Sequence, residues 1–144
     1  MLDYPCRKTS HETDMNKILV IDDEAIVRTS CERTLVPEGY DVRLASSGRE
    51  GIEILGREAF SLVLLDLKMP DMDGIEVLNK IKTTWPGTKV VMITGYSTVD
   101  TAVQALRLGA YNFIEKPFTP DTLLKAVTEV FEKKAEDRGD SDPA

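Results

Sequence analysis

Three aspartates, a threonine and a lysine stand at the ends of separate apolar runs. Asp22 and Asp23 follow residues 18–21, Asp66 follows 62–65, Thr94 follows 90–93, and Lys116 comes just after 112–114. Carboxylates crowded together repel, and the usual resolution is a raised pKa or a bound divalent cation. An oxygen-only ligand set beside a lysine favours the cation, and without histidine or cysteine it suits Mg²⁺ or Mn²⁺. Mg²⁺ bridges carboxylate and phosphate oxygens, so the set points to phosphoryl chemistry. The carboxylate of Asp66 would attack phosphorus in line, Lys116 would neutralise charge on the transferring oxygens, and Thr94 would donate its hydroxyl to one of them. Lys116 precedes Pro117, and a cis Lys116–Pro117 bond would aim the ammonium inward.

These residues need a scaffold that brings strand ends together. Five short runs rich in β-branched residues, at 18–21, 42–45, 62–65, 90–93 and 112–114, alternate with segments of helical period. That alternation predicts an α/β fold, a parallel sheet covered on both faces with right-handed crossovers. The run at 42–45 is the weakest and reads as an edge, and the core should centre on 18–21 and 62–65. Helical stripes recur at Val27, Cys31 and Leu35, and at Ile75, Leu78, Ile81 and Trp85. A third helix is expected from a Thr98 cap, with Val99, Ala102, Val103 and Leu106 facing the core, Asp100 in its first turn and Gly109 at its end. Thr119, Pro120 and Asp121 open a last helix whose buried face is Leu123, Leu124, Val127 and Phe131, with Lys133 and Lys134 near its end. In such sheets functional groups gather beyond the carboxyl ends of the strands, where the five residues fall.

The chain of 144 residues suits one domain able to bury its own core. With 42% hydrophobic and 30% charged residues it reads as a globular chain of ordinary composition, and no apolar run reaches the ~20 residues of a membrane-spanning helix. A net charge of −7 without a basic face disfavours direct nucleic-acid binding. Cys6 and Cys31 offer neither a disulfide framework nor metal-ligand spacing, which fits a reducing, cytoplasmic setting. Residues 1–16 read as a disordered tail or appended segment, with Met15 a candidate natural start. The folded domain should cover 17–134, and 135–144 should form a second disordered tail or linker.

Four segments resemble the receiver domains of two-component response regulators, of the chemotaxis-receiver type. They are Ile18-Leu19-Val20-Ile21-Asp22-Asp23-Glu24, the run from Leu65 through Asp66-Leu67-Lys68-Met69-Pro70 to Gly74, Met92-Ile93-Thr94-Gly95, and the run from Gly109 through Phe113 and Lys116-Pro117 to Phe118. The resemblance spans about 17–134 and implies a single doubly wound, flavodoxin-like (βα)5 domain with strand order 2-1-3-4-5. It implies that Asp66 is the phospho-acceptor in a two-component phosphorelay. Asp23 and Asp66 would bind Mg²⁺ with the backbone carbonyl of Lys68, and Asp22 would act mainly through water. Thr94 would shift toward the phosphoryl group and the aromatic Phe113 would rotate inward, reshaping the face of the fourth helix, fifth strand and fifth helix. Many members carry tyrosine at that position, so Phe113 would work by packing alone. The implied partners are a sensor histidine kinase or phosphotransfer protein, and a second copy of the chain bound through that same face.

Other readings of these residues are weaker. Asp71-Met72-Asp73-Gly74 resembles a calcium loop superficially, yet no bidentate glutamate follows at the required spacing, and a turn with a helix cap accounts for it. His11, the only histidine, lies in the polar leading segment, so the phosphoryl group must come from a partner or a small acyl or amido phosphate. A phosphatase with an aspartyl intermediate would want a second acid two positions beyond the nucleophile, where this chain has Lys68. The switch would therefore act catalytically on itself alone. The stretch 92–118 resembles receivers attached to enhancer-binding ATPases, with similar ones in hybrid kinases, so the chain is either a stand-alone receiver or a piece of a longer protein.

Overall fold

The five apolar runs form strands because each can bury both faces. The computed structural model describes residues 16–95 and 99–139, the side chains of Val99 and of 133–139 excepted. Strands β1 (Lys17–Ile21), β2 (Asp41–Ala45), β3 (Leu62–Asp66), β4 (Lys89–Thr94) and β5 (Asn112–Glu115) pair in parallel in the order β2-β1-β3-β4-β5. This is the order 2-1-3-4-5 that the resemblance implies. All five residues of β3 are buried, whereas β2, at the edge, buries only Ala45. Thr98, His11, Cys6 and the leading segment through Met15 lie outside the described residues, as do the side chains of Val99, Lys133 and Lys134.

Alternate side chains of each strand feed two separate cores. Ile18, Val20, Leu62, Leu64, Val91 and Ile93 pack with Cys31 and Leu35 of α1 (Ala25–Leu35) and with Leu123, Val127 and Val130 of α5 (Pro120–Gly139). Leu19, Ile21, Val63, Leu65, Val90 and Met92 pack with α2 (Gly48–Leu55), α3 (Gly74–Thr84) and α4 (Val99–Arg107). A fully buried Leu or Ile contributes about 1.5–3 kcal/mol, so two cores built on the same three strands hold those strands' ends level. Burial pushes the Cys31 thiol up to about 12, with Asp22 adding to the shift, so Cys31 is an inert core residue, as its stripe predicts.

Two helices differ from the expected faces. Among the described side chains of α4 the buried one is Ala105, while Val103 is 40% and Leu106 50% exposed. The inward position is thus filled by a small residue, and Val103 and Leu106 of the expected stripe face outward. In α3 the buried arc is Gly74, Val77, Leu78 and Ile81, and Ile75 and Trp85 are only half-buried. Helix α2 has no counterpart among the helices expected from periodicity. Its start is nonetheless written as Ser47-x-x-Glu50: the Ser47 hydroxyl accepts from Glu50 N–H at 3.1 Å, and the Glu50 carboxylate accepts from Ser46 N–H at 2.7 Å. Asp73 caps α3 by accepting from Ile75 N–H, and Thr119 caps α5 by accepting from Thr122 N–H, as their spacing predicts.

Asp71 ties this layer together. Its two carboxylate oxygens accept from Gly48 N–H (3.1 Å) and Arg49 N–H (2.9 Å), so the loop after β3 caps a helix more than twenty residues earlier in the chain. Replacement of Asp71 by alanine is expected to cost about 1–2 kcal/mol, the usual loss for an N-cap. Urea denaturation checks this, and a change within error of zero would mean that the contact contributes nothing.

Candidate metal and phosphoryl site

Each functional side chain is held by the backbone that leaves its strand. Asp22 extends β1 by one ladder bond, its N–H donating to Ala45 O at 3.1 Å, and is 1% exposed. Its Oδ1 accepts from Glu24 N–H (2.8 Å), and its carbonyl accepts from the Arg28 guanidinium (2.8 Å), which fixes the turn from β1 into α1. That turn carries Asp23 into solvent beside its buried neighbour.

Asp66 ends β3 and is 4% exposed. The loop behind it folds back so that Gly74 N–H donates to Leu67 O at 2.8 Å. A Cβ at position 74 would lie 2.5 Å from both the Asp66 carbonyl oxygen and Leu67 Cα, so only glycine lets α3 start this close to the end of β3. Lys68 N–H points at Asp66 Oδ1 over a long 3.4 Å contact, and the Lys68 side chain is exposed. Thr94 ends β4, 1% exposed, and its carbonyl accepts from Lys116 N–H at 2.8 Å. The Lys116–Pro117 peptide is cis.

The Lys116 ammonium hangs over the carboxylates, 3.0 Å from Asp22 Oδ2, 3.6 Å from Asp66 Oδ1 and 2.7 Å from Glu24 Oε1. Asp22, Asp23 and Asp66 each offer a carboxylate oxygen, all within 4.8 Å of one another. Asp23, Asp66, Lys68, Thr94 and Lys116 line one open cleft of about 380 Å³, together with Glu24 and Gly95, and Asp22 lies buried beside it. Phe113 is not among the lining residues; it is half-buried against the core under α2, α3 and α4. Glu24 and Arg28 escaped the sequence reading as site residues, and the only available signal was Glu24's place directly after the aspartate pair.

The electrostatics follow from burial. Desolvation, then the neighbouring Asp22 charge, raises the Asp66 carboxyl to about 6, against the pull of Lys116. Asp22 is also raised, mainly by burial. Burial works against the charge on Lys116, but Glu24, Asp22 and Asp66 outweigh it and hold the ammonium charged well above neutrality. Asp22 Oδ2 is buried and faces the Lys116 ammonium at 3.0 Å as an ion pair, and among the described residues nothing else meets it with hydrogen-bond geometry. A buried carboxylate oxygen met only by that ion pair, an all-oxygen donor set and an excess of negative charge fit a hard divalent cation.

Residues 18–128 match the family model described as the response regulator receiver domain. The chain belongs to this family. The receiver is 43% identical over 106 residues to the transcriptional regulatory protein ZraR of Escherichia coli (strain K12), covering 74% of this chain and 24% of that protein. It spans about a quarter of the length of the curated relatives it matches. Among solved structures, a CheY-like receiver domain protein from Methanospirillum hungatei JF-1 is 36% identical with a TM-score of 0.82, covering 85% of this chain and 98% of that one. The beryllofluoride-activated NtrC4 receiver domain dimer is 38% identical with a TM-score of 0.78, covering 82% of this chain and 98% of that one.

Metal-free, the receiver carries an electrostatic cost at Asp66. The folded residue keeps its proton to about pH 6, whereas the unfolded one releases it near 3.8, so the folded state binds more protons between these values. Stability attributable to Asp66 therefore falls as pH rises from about 4 to 6 and stays low above that. Asp66→Asn removes the charge and is expected to stabilise the metal-free protein by roughly 1–3 kcal/mol at pH 7.5, the gap closing toward pH 4. Parallel urea denaturations at the two pH values test this, and an asparagine variant no more stable than wild type at pH 7.5 would contradict it.

Proposed function

We propose that Asp66 accepts a phosphoryl group from a sensor histidine kinase or phosphotransfer protein, in a reaction dependent on Mg²⁺, with Mn²⁺ a substitute. The observation that carries this reading is the gathering of Asp22, Asp23 and Asp66 within 4.8 Å, with the Lys116 ammonium over two of them. Asp22, Asp23, Asp66 and the backbone carbonyl of Lys68 would hold the cation. Bound there, it would supply positive charge for the phosphoryl oxygens.

The residues of the chain have separate tasks. An Asp66 carboxylate oxygen forms the new bond to phosphorus, while the bond from phosphorus to the donor imidazole nitrogen breaks and that nitrogen keeps the electron pair. With an acyl phosphate the pair leaves on the carboxylate oxygen instead. Lys116 and the Thr94 hydroxyl meet the oxygens of the transferred group. Dephosphorylation is a separate step in which water attacks phosphorus and gives up a proton to solvent while the Asp66 carboxylate leaves, releasing inorganic phosphate, and the exposed Lys68 would tune the water's access. The chain thus acts catalytically only on itself, as a switch.

Thr94 and Phe113 are the proposed relay to the face of α4, β5 and α5, where the exposed Val103 and Leu106 support pairing with a second copy. The NtrC4 relative named as a dimer supports the same reading. The setting is cytoplasmic, without direct contact to nucleic acid or membrane, and the proposed receiver spans 17–134. Among the described residues no helix is long and apolar enough to cross a membrane.

Incubation with acetyl phosphate and Mg²⁺ is expected to add the mass of one phosphoryl group, and Asp66→Ala to abolish the gain. Intact-protein mass spectrometry reads both. An unchanged wild-type mass, or an equal gain in the alanine variant, would contradict the assignment.

A further inference from the structure

The shortest contact of the Lys116 ammonium is to a residue with no task in the proposed phosphoryl site. Glu24 Oε1 lies at 2.7 Å, nearer than Asp22 Oδ2 at 3.0 Å or Asp66 Oδ1 at 3.6 Å. Glu24 differs from those two aspartates in being 54% exposed. It also stands at a boundary. Glu24 and Lys116 line the acidic cleft on one side and, on the other, a groove bordered by Ile26, Val27, Pro117 and Phe118, so their ion pair is the wall between the two.

The backbone of Glu24 is fixed at the same time. Its N–H donates to Asp22 Oδ1 at 2.8 Å, and its carbonyl accepts from Val27 N–H and Arg28 N–H as α1 begins. The carboxylate therefore hangs from a held point at the rim, and it pulls the ammonium toward that rim. An ammonium and a divalent cation compete for the same carboxylate oxygens. A Lys116 seated only between Asp22 and Asp66 would neutralise the pair and weaken its demand for a cation.

We propose that Glu24 is a positioning residue that draws Lys116 to the rim of the cleft, keeping Asp22 and Asp66 open to Mg²⁺ until Lys116 moves to the phosphoryl group. This rests on the proposed function of the site. Exposed ion pairs are held weakly, so Glu24 can surrender the ammonium to a phosphoryl group, whose charge-assisted bonds are stronger.

Calorimetric Mg²⁺ titration of the full chain tests the proposal, with Glu24→Gln and Glu24→Asp made in wild type and in Lys116→Met and Lys116→Gln backgrounds. Glu24→Gln is expected to weaken Mg²⁺ binding roughly threefold to fivefold, the scale of an exposed ion pair. Glu24→Asp, which keeps the charge but loses reach, should weaken it similarly, and both losses should vanish once Lys116 is replaced. Unchanged affinity in Glu24→Gln would overturn the proposal. So would full retention in Glu24→Asp, or a loss of equal size without Lys116, since either would mean that Glu24 acts only as a distant charge. A wild-type chain that binds no Mg²⁺ would instead overturn the proposed function itself, so the two failures are distinct.

Discussion

Two carboxylates, Asp22 and Asp66, are almost fully buried at the ends of adjacent strands, and everything else at the site answers that crowding. Bringing charge out of water is costly, and doing so twice in one place costs more than one ammonium repays. The strain shows as a raised pKa at both residues and as a buried Asp22 oxygen that, among the described residues, only the Lys116 ion pair meets. Lys116 offsets part of the excess, but Glu24 claims a share of the same ammonium, and Asp23 adds another negative charge at the rim. The uncompensated remainder is what suits the site to the hard cation proposed for it.

A parallel sheet can impose such crowding because its strand ends are level. Asp66 stands in register with Ile93, and Thr94 with Glu115, so the ends of β3, β4 and β5 open onto one edge. The two cores keep the strands from sliding to relieve the repulsion. Gly74 lets α3 begin against the backbone of Asp66 and Leu67, and Asp71 binds the same loop to the start of α2. The loop that follows Asp66 is thus braced at both ends.

The strands were legible because β-branched apolar runs buried on both faces have few alternatives, and the polar residues closing them marked the site. Less regular packing was not legible. Helix α2 is only eight residues long and puts glycines at two buried positions, Gly48 and Gly51, where any side chain at 51 would collide with that of Ile21, so its apolar face is confined to the short run 52–55. On α4 the decisive residue is the small Ala105, whereas periodicity favours the bulkier Val103 and Leu106 that face outward. The contact between Lys116 and Glu24 joins residues 92 positions apart, one of them exposed, and no local pattern encodes such a pair.

Buried negative charge at these strand ends calls for completion by a divalent cation. The most direct measurement of this is a comparison of Mg²⁺ binding by wild type, Asp23→Asn and Asp66→Asn at pH 7.5, followed by isothermal titration calorimetry. One Mg²⁺ per wild-type chain and a large loss of affinity in both variants are expected. Binding that survives both substitutions undiminished, or is absent from wild type, would contradict this.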